Sequence, residues 1–207
     1  FDVAGVDSSP NMVRLAKSHL QSLALQRFPV LESDVLSPAC KSLNSFHLVV
    51  AHTNFFHLFP AGNFRKVGRA LAELMKPAGL LMFDWTSAAL ATDGAVDVRL
   101  DRDGRSWRVS GKLSADHRIY TQTWRHEAQR GRFERYWLHT TEQCDSILNS
   151  AGWRRIAARS WHPMDSRCNW RKATSRSRRL VLAYECRGAP TKITATLEDY
   201  SSRAGVL

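Results

Sequence analysis

Polar residues close three short apolar runs in this 207-residue chain: Asp7 follows residues 1–6, Asp34 follows residues 28–31, and His52 and Asn54 follow the run FHLVVA. An acid at the end of a strand can accept both hydroxyl protons of a ribose, and ligands of open α/β sheets bind beyond the carboxyl ends of the strands. Asp7 is therefore a candidate ribose-holding acid. Further along, His57 is a candidate general base, and Tyr136, Trp137 and His139 are candidates for a cover over a second ligand. Each has a plain structural reading beside the chemical one: a histidine satisfied inside the fold, or aromatic side chains that only pack a sheet.

Short apolar strands and amphipathic helices must position these groups. Ser8, Ser9 and Pro10 supply a helix cap with proline in the first turn. Met12, Leu15, Ala16, His19, Leu20 and Leu23 then recur at helical spacing, which predicts a face packed on a sheet. The nearly continuous run over residues 46–51 predicts a central parallel strand covered on both faces. Val67, Leu71, Leu74 and Met75 mark another helix, stopped by Pro77-Ala78-Gly79 before a buried strand over residues 80–83. This alternation predicts a doubly wound, Rossmann-like, mainly parallel sheet.

From about residue 96 the pattern changes to strand-like alternation, with turn signals at Asp103-Gly104, Ala115-Asp116 and Arg130-Gly131. An antiparallel meander of four strands is expected there. Thr141 is a candidate cap for a helix ending at Gly152, and strands are expected over residues 156–161 and 180–186. The expected division is a cofactor-type domain over residues 1–94 and 141–187, a meander insertion over 95–140, and a polar tail over 188–207.

The formal charge of +11 favours anionic ligands without naming one. Residues 167–179 hold six basic residues, no acid and Trp170. Such a segment can hold a phosphate backbone with a base stacked on the indole, although a solvated connecting loop looks the same. Cys40, Cys144, Cys168 and Cys186 are widely spaced, which predicts reduced thiols, no metal and a cytoplasmic setting. Neither an export signal nor an apolar run long enough to span a bilayer is found.

The segment FDVAGVDSSPNMVRLAK resembles the second strand and following helix of class I S-adenosylmethionine-dependent methyltransferases, with Gly5, Asp7, Ser9, Met12 and Ala16 in register. ESDV resembles the third strand of that family, FHLVVA the fourth, and ALAELMKPAGLLMFD the turn and fifth strand, with Ala78 where the family commonly has glycine. TTEQCDSILNSAGW resembles the helix before the penultimate strand. The resemblance implies S-adenosyl-L-methionine as cofactor, lined by Asp7, Ser8, Met12, Asp34, Val35, Ala51 and His52. Asp7 would hold the ribose and Asp34 the adenine side.

It further implies that the family's first strand and glycine-rich loop would precede Phe1, so the chain is expected to be a fragment whose sheet lacks that strand. The reaction expected is methyl transfer to a small-molecule acceptor, covered by the meander. Two alternatives stay open: an RNA methyltransferase using residues 167–179, or a non-catalytic remnant that binds no cofactor. Acceptor atom and oligomeric state are not fixed by the sequence.

Overall fold

A computed structural model describes residues 3–43, 46–52, 54–86, 97–102, 105–116, 118–126, 129–160, 171–172 and 179–187. Strand β1 (Gly5–Asp7) leads into helix α1 (Pro10–Ser22), which Ser9 caps through its side chain with Pro10 in the first turn. Strand β2 (Val30–Glu32) then returns parallel to β1, Asp7 opposite Glu32. The face of α1 that meets this pair is narrower than the periodicity predicts. Val13 is buried and Ala16 and Leu20 are half-buried, whereas Met12, Leu15 and Leu23 are more than half exposed. Two short strands can cover only a thin stripe of a helix.

After a single helical turn, α2 (Pro38–Lys41), come β3 (Phe46–Ala51), a 3-10 turn (Phe55–Leu58), α3 (Ala61–Glu73) and β4 (Met75–Thr86). Strands β3 and β4 are parallel. In β4, alternate residues Gly79, Leu81, Phe83 and Trp85 are buried under the helices, and burying each of the three large side chains contributes roughly 1.5–3 kcal/mol. Helix α3 ends one turn before Pro77, and β4 already begins at Met75. The Pro-Ala-Gly segment is therefore a kink inside the strand, with Ala78 at φ 61°. A Cβ on Gly79 would lie 2.9 Å from the Lys76 carbonyl oxygen, so glycine is required there for space.

The expectation that FHLVVA is a central strand covered on both faces is not met. β3 pairs with β4 alone among the described residues, and Leu48 and Val50 are 43% and 63% exposed. β1 likewise pairs only with β2, so the parallel strands fall into two separate sheets. Strands that are apolar on both faces need a neighbour on each side, and here each sheet has an open edge.

The meander forms a sheet of its own, β5 (Asp97–Arg102), β6 (Arg105–Leu113), β7 (Ile119–His126) and β8 (Gln129–Trp137), each antiparallel to the next. Arg130-Gly131 is not a turn: β8 already begins at Gln129, opposite His126 of β7, and Gly131 lies within β8, where a Cβ would come 3.0 Å from the Trp124 carbonyl. Helix α4 (Thr141–Ser150) is capped by Thr140, not Thr141, in a reciprocal box with Gln143. It ends before Gly152 at φ 94°. β9 (Trp153–Ser160), the two-residue β10 (Arg171–Lys172) and β11 (Arg179–Cys186) complete a five-stranded sheet in the order β10-β9-β11-β4-β3. β11 runs antiparallel to both β4 and β9, so three of these five strands run one way.

Helices α3 and α4 cover one face of that sheet. Their contact centres on Gly68, where a Cβ would meet Ala151 and Leu148 at 3.1 Å, and the Trp153 indole donates to the Gly68 carbonyl at 2.8 Å. No helix among the described residues is long and apolar enough to cross a membrane. Cys40, Cys144 and Cys186 are free thiols; Cys168 lies outside the described residues.

Candidate active site

Two groups of polar residues stand at carboxyl ends of parallel strands. In the first, Asp7 closes β1, and its Oδ1 accepts the Ser9 N–H at 2.7 Å. Asp34 follows β2 in the same way, its Oδ1 taking the Leu36 N–H at 2.7 Å. The two strand ends are tied together, since the Ser33 N–H donates to the Asp7 carbonyl. Both acids are exposed, and the second carboxylate oxygen of each has no partner among the described residues. Ser8 is exposed beside Asp7, and Met12 points outward from α1. Val35 is half-buried and packs on the main core, which links this group to the larger sheet.

The second group surrounds the ends of β3 and β4. Ala51 is the last residue of β3 and His52 is exposed just beyond it. Asn54 sits in the left-handed region at φ 56°, ψ 30° and donates its N–H to both oxygens of Asp84 at 3.1 Å. The Thr86 hydroxyl donates to the Asn54 side-chain oxygen at 2.7 Å. His57 is buried, 1% exposed, with its ring 4.1 Å from that of Trp85. The Thr86 N–H points at His57 Nε2 at 3.2 Å, which fixes that nitrogen as the acceptor, so Nδ1–H donates to the Trp137 carbonyl at 2.8 Å. Burial, reinforced by nearby His139, lowers the His57 pKa to about 4. Its imidazole is neutral with both nitrogens committed, and no lone pair is left for an acceptor's proton.

His139, 8% exposed, donates from Nε2 to the Phe59 carbonyl at 3.0 Å. It lines a cavity of about 230 Å³ with Ala61, Arg118, Trp137, Leu138 and Gln143, where the meander joins the starts of α3 and α4. Tyr136 donates its hydroxyl to Glu134, two residues away along β8. The structure thus brings His57, Trp137 and His139 together around Trp85, and brings Asp7 and Asp34 together at the smaller sheet. Asp84 and Thr86 were missed as site residues in the sequence. Yet Asp84 ends an apolar run, LLMF, by the same pattern that drew attention to Asp7.

Residues 1–79 match the family model described as methyltransferase domain. An S-adenosylmethionine-dependent methyltransferase from Clostridium acetobutylicum superposes with a TM-score of 0.74 at 14% identity, covering 91% of this chain and 76% of that one. The chain has the fold of S-adenosylmethionine-dependent methyltransferases. The CcbJ methyltransferase from Streptomyces caelestis gives a TM-score of 0.72 at 18% identity, covering 90% and 75% of the two chains. The sugar N-methyltransferase KedS8 from a Streptoalloteichus species gives 0.61 at 18% identity, covering 89% and 71%. No curated protein matches the sequence significantly. S-adenosylmethionine is named as the bound ligand of another neighbour, a glycopeptide N-methyltransferase.

Within the matched residues 1–79, Asp7 and Asp34 are the side chains that could hold the nucleoside part of such a cofactor. Among the described residues, each keeps one carboxylate oxygen without a partner at adjacent strand ends, where it can accept a hydrogen bond from a ligand. Among the described residues no group of three His, Cys, Asp or Glu is placed to hold a metal ion. Of the basic segment 167–179, the backbone of Arg171 and Lys172 pairs with β9; apart from Arg179, which begins β11, the rest lies outside the described residues.

Proposed function

We propose that this chain belongs to an enzyme that transfers a methyl group from S-adenosylmethionine to a small-molecule acceptor. The observation that carries the reading is the pair Asp7 and Asp34, each oriented by a backbone N–H and each offering its other oxygen at neighbouring strand ends. The cofactor, when bound, supplies a sulfonium-activated methyl group. The task left to the protein is to align donor and acceptor and to exclude water.

In this reading Asp7 holds the ribose, Asp34 faces the adenine, and Ser8, Met12, Val35, Ala51 and His52 line the remaining wall. The meander covers the acceptor. Its root is fixed to the sheet by His57, so the cover keeps a constant position relative to the end of β4. Support for a small acceptor comes from KedS8, named as a sugar N-methyltransferase, and from CalS10 of Micromonospora echinaspora, named as an amino pentose methyltransferase. The open edges of β1 and β3 are read as the two sides of a slot for one more parallel strand.

The test is calorimetric titration of the full-length protein with S-adenosylhomocysteine, followed by transfer of labelled methyl groups to a small-molecule library. Binding with label in a small product is expected. Absence of binding, or label found only in RNA, sinks the reading.

A further inference from the structure

Asp84 stands at the carboxyl end of β4, the strand that joins β3 to the rest of the five-stranded sheet. Among the described residues its carboxylate is aimed by one donor, the Asn54 N–H, which sits 3.1 Å from each oxygen. Asn54 is in turn fixed by its left-handed backbone and by the Thr86 hydroxyl. One N–H uses a small part of what a carboxylate can accept, since its two oxygens offer about four sites.

The other half-buried acids with described partners are already committed. Asp145 receives Tyr184 and pairs with Arg155; Glu185 pairs with Arg154. Among the described residues neither Lys nor Arg pairs with Asp84, in a chain that has 30 of them. Holding a carboxylate partly out of water without a cation or further donors is unfavourable, and a ligand that brings donors relieves the cost.

We propose that Asp84 holds the methyl acceptor and that the acceptor presents an amine nitrogen. This rests on the methyltransferase reading above. An amine N–H donated to Asp84 turns the nitrogen lone pair away from the carboxylate, where it can be directed at the transferable methyl. The N–C bond then forms as the C–S bond breaks, the electron pair of that bond goes to sulfur, and the sulfonium becomes a thioether. Positive charge passes to the nitrogen beside Asp84, and the surplus proton leaves to solvent after transfer.

A hydroxyl acceptor would instead require its proton to be removed during attack. His57, which interacts electrostatically with Asp84, cannot do this, because its Nε2 lone pair is taken by the Thr86 N–H. A neutral amine needs no such base.

The experiment uses full-length protein saturated with S-adenosylhomocysteine and a panel of alkyl amines, amino acids and amino sugars, each beside its hydroxyl twin. Amines should bind while the hydroxyl twins do not. In turnover, Asp84→Asn should raise the KM for a bound amine by about tenfold to a hundredfold, with Asp84→Glu recovering part of the loss. Binding of S-adenosylhomocysteine should be unchanged in both variants, which also reports that they fold. Equal binding of hydroxyl twins, methyl groups found on oxygen or carbon, an unchanged KM in Asp84→Asn, or no amine bound at about 10 mM would each overturn the proposal. Loss of S-adenosylhomocysteine binding in the wild-type protein is a different failure, since it removes the underlying reading.

Discussion

His57 and Trp137, 80 positions apart, are joined by a hydrogen bond of 2.8 Å from the imidazole Nδ1–H to the indole residue's carbonyl. The same ring accepts the Thr86 N–H, so one side chain ties the 3-10 turn, the end of β4 and the end of β8 together. Its pKa is lowered from 6.5 to about 4, chiefly because burial penalises the charged form. The unfolded chain therefore binds a proton at His57 that the folded chain refuses. The contribution to stability is complete above pH 6.5 and is lost as pH falls toward 4, an amount of about 3 kcal/mol.

Urea unfolding at pH 7 and pH 4.5 should show this fall in the wild-type protein and a smaller one in His57→Phe, which has no proton to take up. Equal pH slopes in the two proteins would mean that His57 is not held neutral.

Asp7 is the second test case. Asp7→Ala should remove charge-assisted hydrogen bonds worth roughly 1.5–3 kcal/mol and weaken cofactor binding by about one to two decades. Asp7 is exposed and the one described contact of its side chain is a local turn to Ser9, so unfolding stability should change little. Calorimetry with S-adenosylhomocysteine beside a melting curve separates the two effects.

Local chemistry was legible in the sequence where short-range rules act. Ser9 with Pro10 marks the start of α1, Gly152 its counterpart at the end of α4, and the alternating pattern after residue 96 marks the meander. The misreadings have physical causes. Met12, Leu15 and Leu23 have helical spacing, but spacing cannot tell how wide a sheet the helix will meet. Gly131 looked like a turn residue because glycine permits turns, yet here it makes room for the neighbouring strand's carbonyl. The Asn54–Asp84 contact joins residues 30 positions apart, and no local pattern encodes it.

Ala78 offers a stability test. It occupies the left-handed region at φ 61°, where a Cβ is strained and glycine is not. Ala78→Gly should therefore stabilise the protein by about 1 kcal/mol, offset in part by the greater freedom glycine gives the unfolded chain. Gly79→Ala should do the reverse, because its Cβ would press on the Lys76 carbonyl oxygen and the Met75 side chain. Denaturant midpoints of the two variants should move in opposite directions.

The open edges of β1 and β3 give the last prediction. β1 bonds only to β2 and β3 only to β4 among the described residues, and Val6, Leu48 and Val50 are 40%, 43% and 63% exposed. Unpaired backbone groups beside apolar side chains are a template for another strand. If another parallel strand occupies the slot, the β3 amides that are not bonded to β4 should exchange hydrogen slowly, and quickly if the edge is open. The exchange map would also show β1 and β3 protected together, because a single inserted strand must pair with both. Fast exchange on both edges in the full-length protein would leave the two sheets separate and the cofactor wall without its central strand.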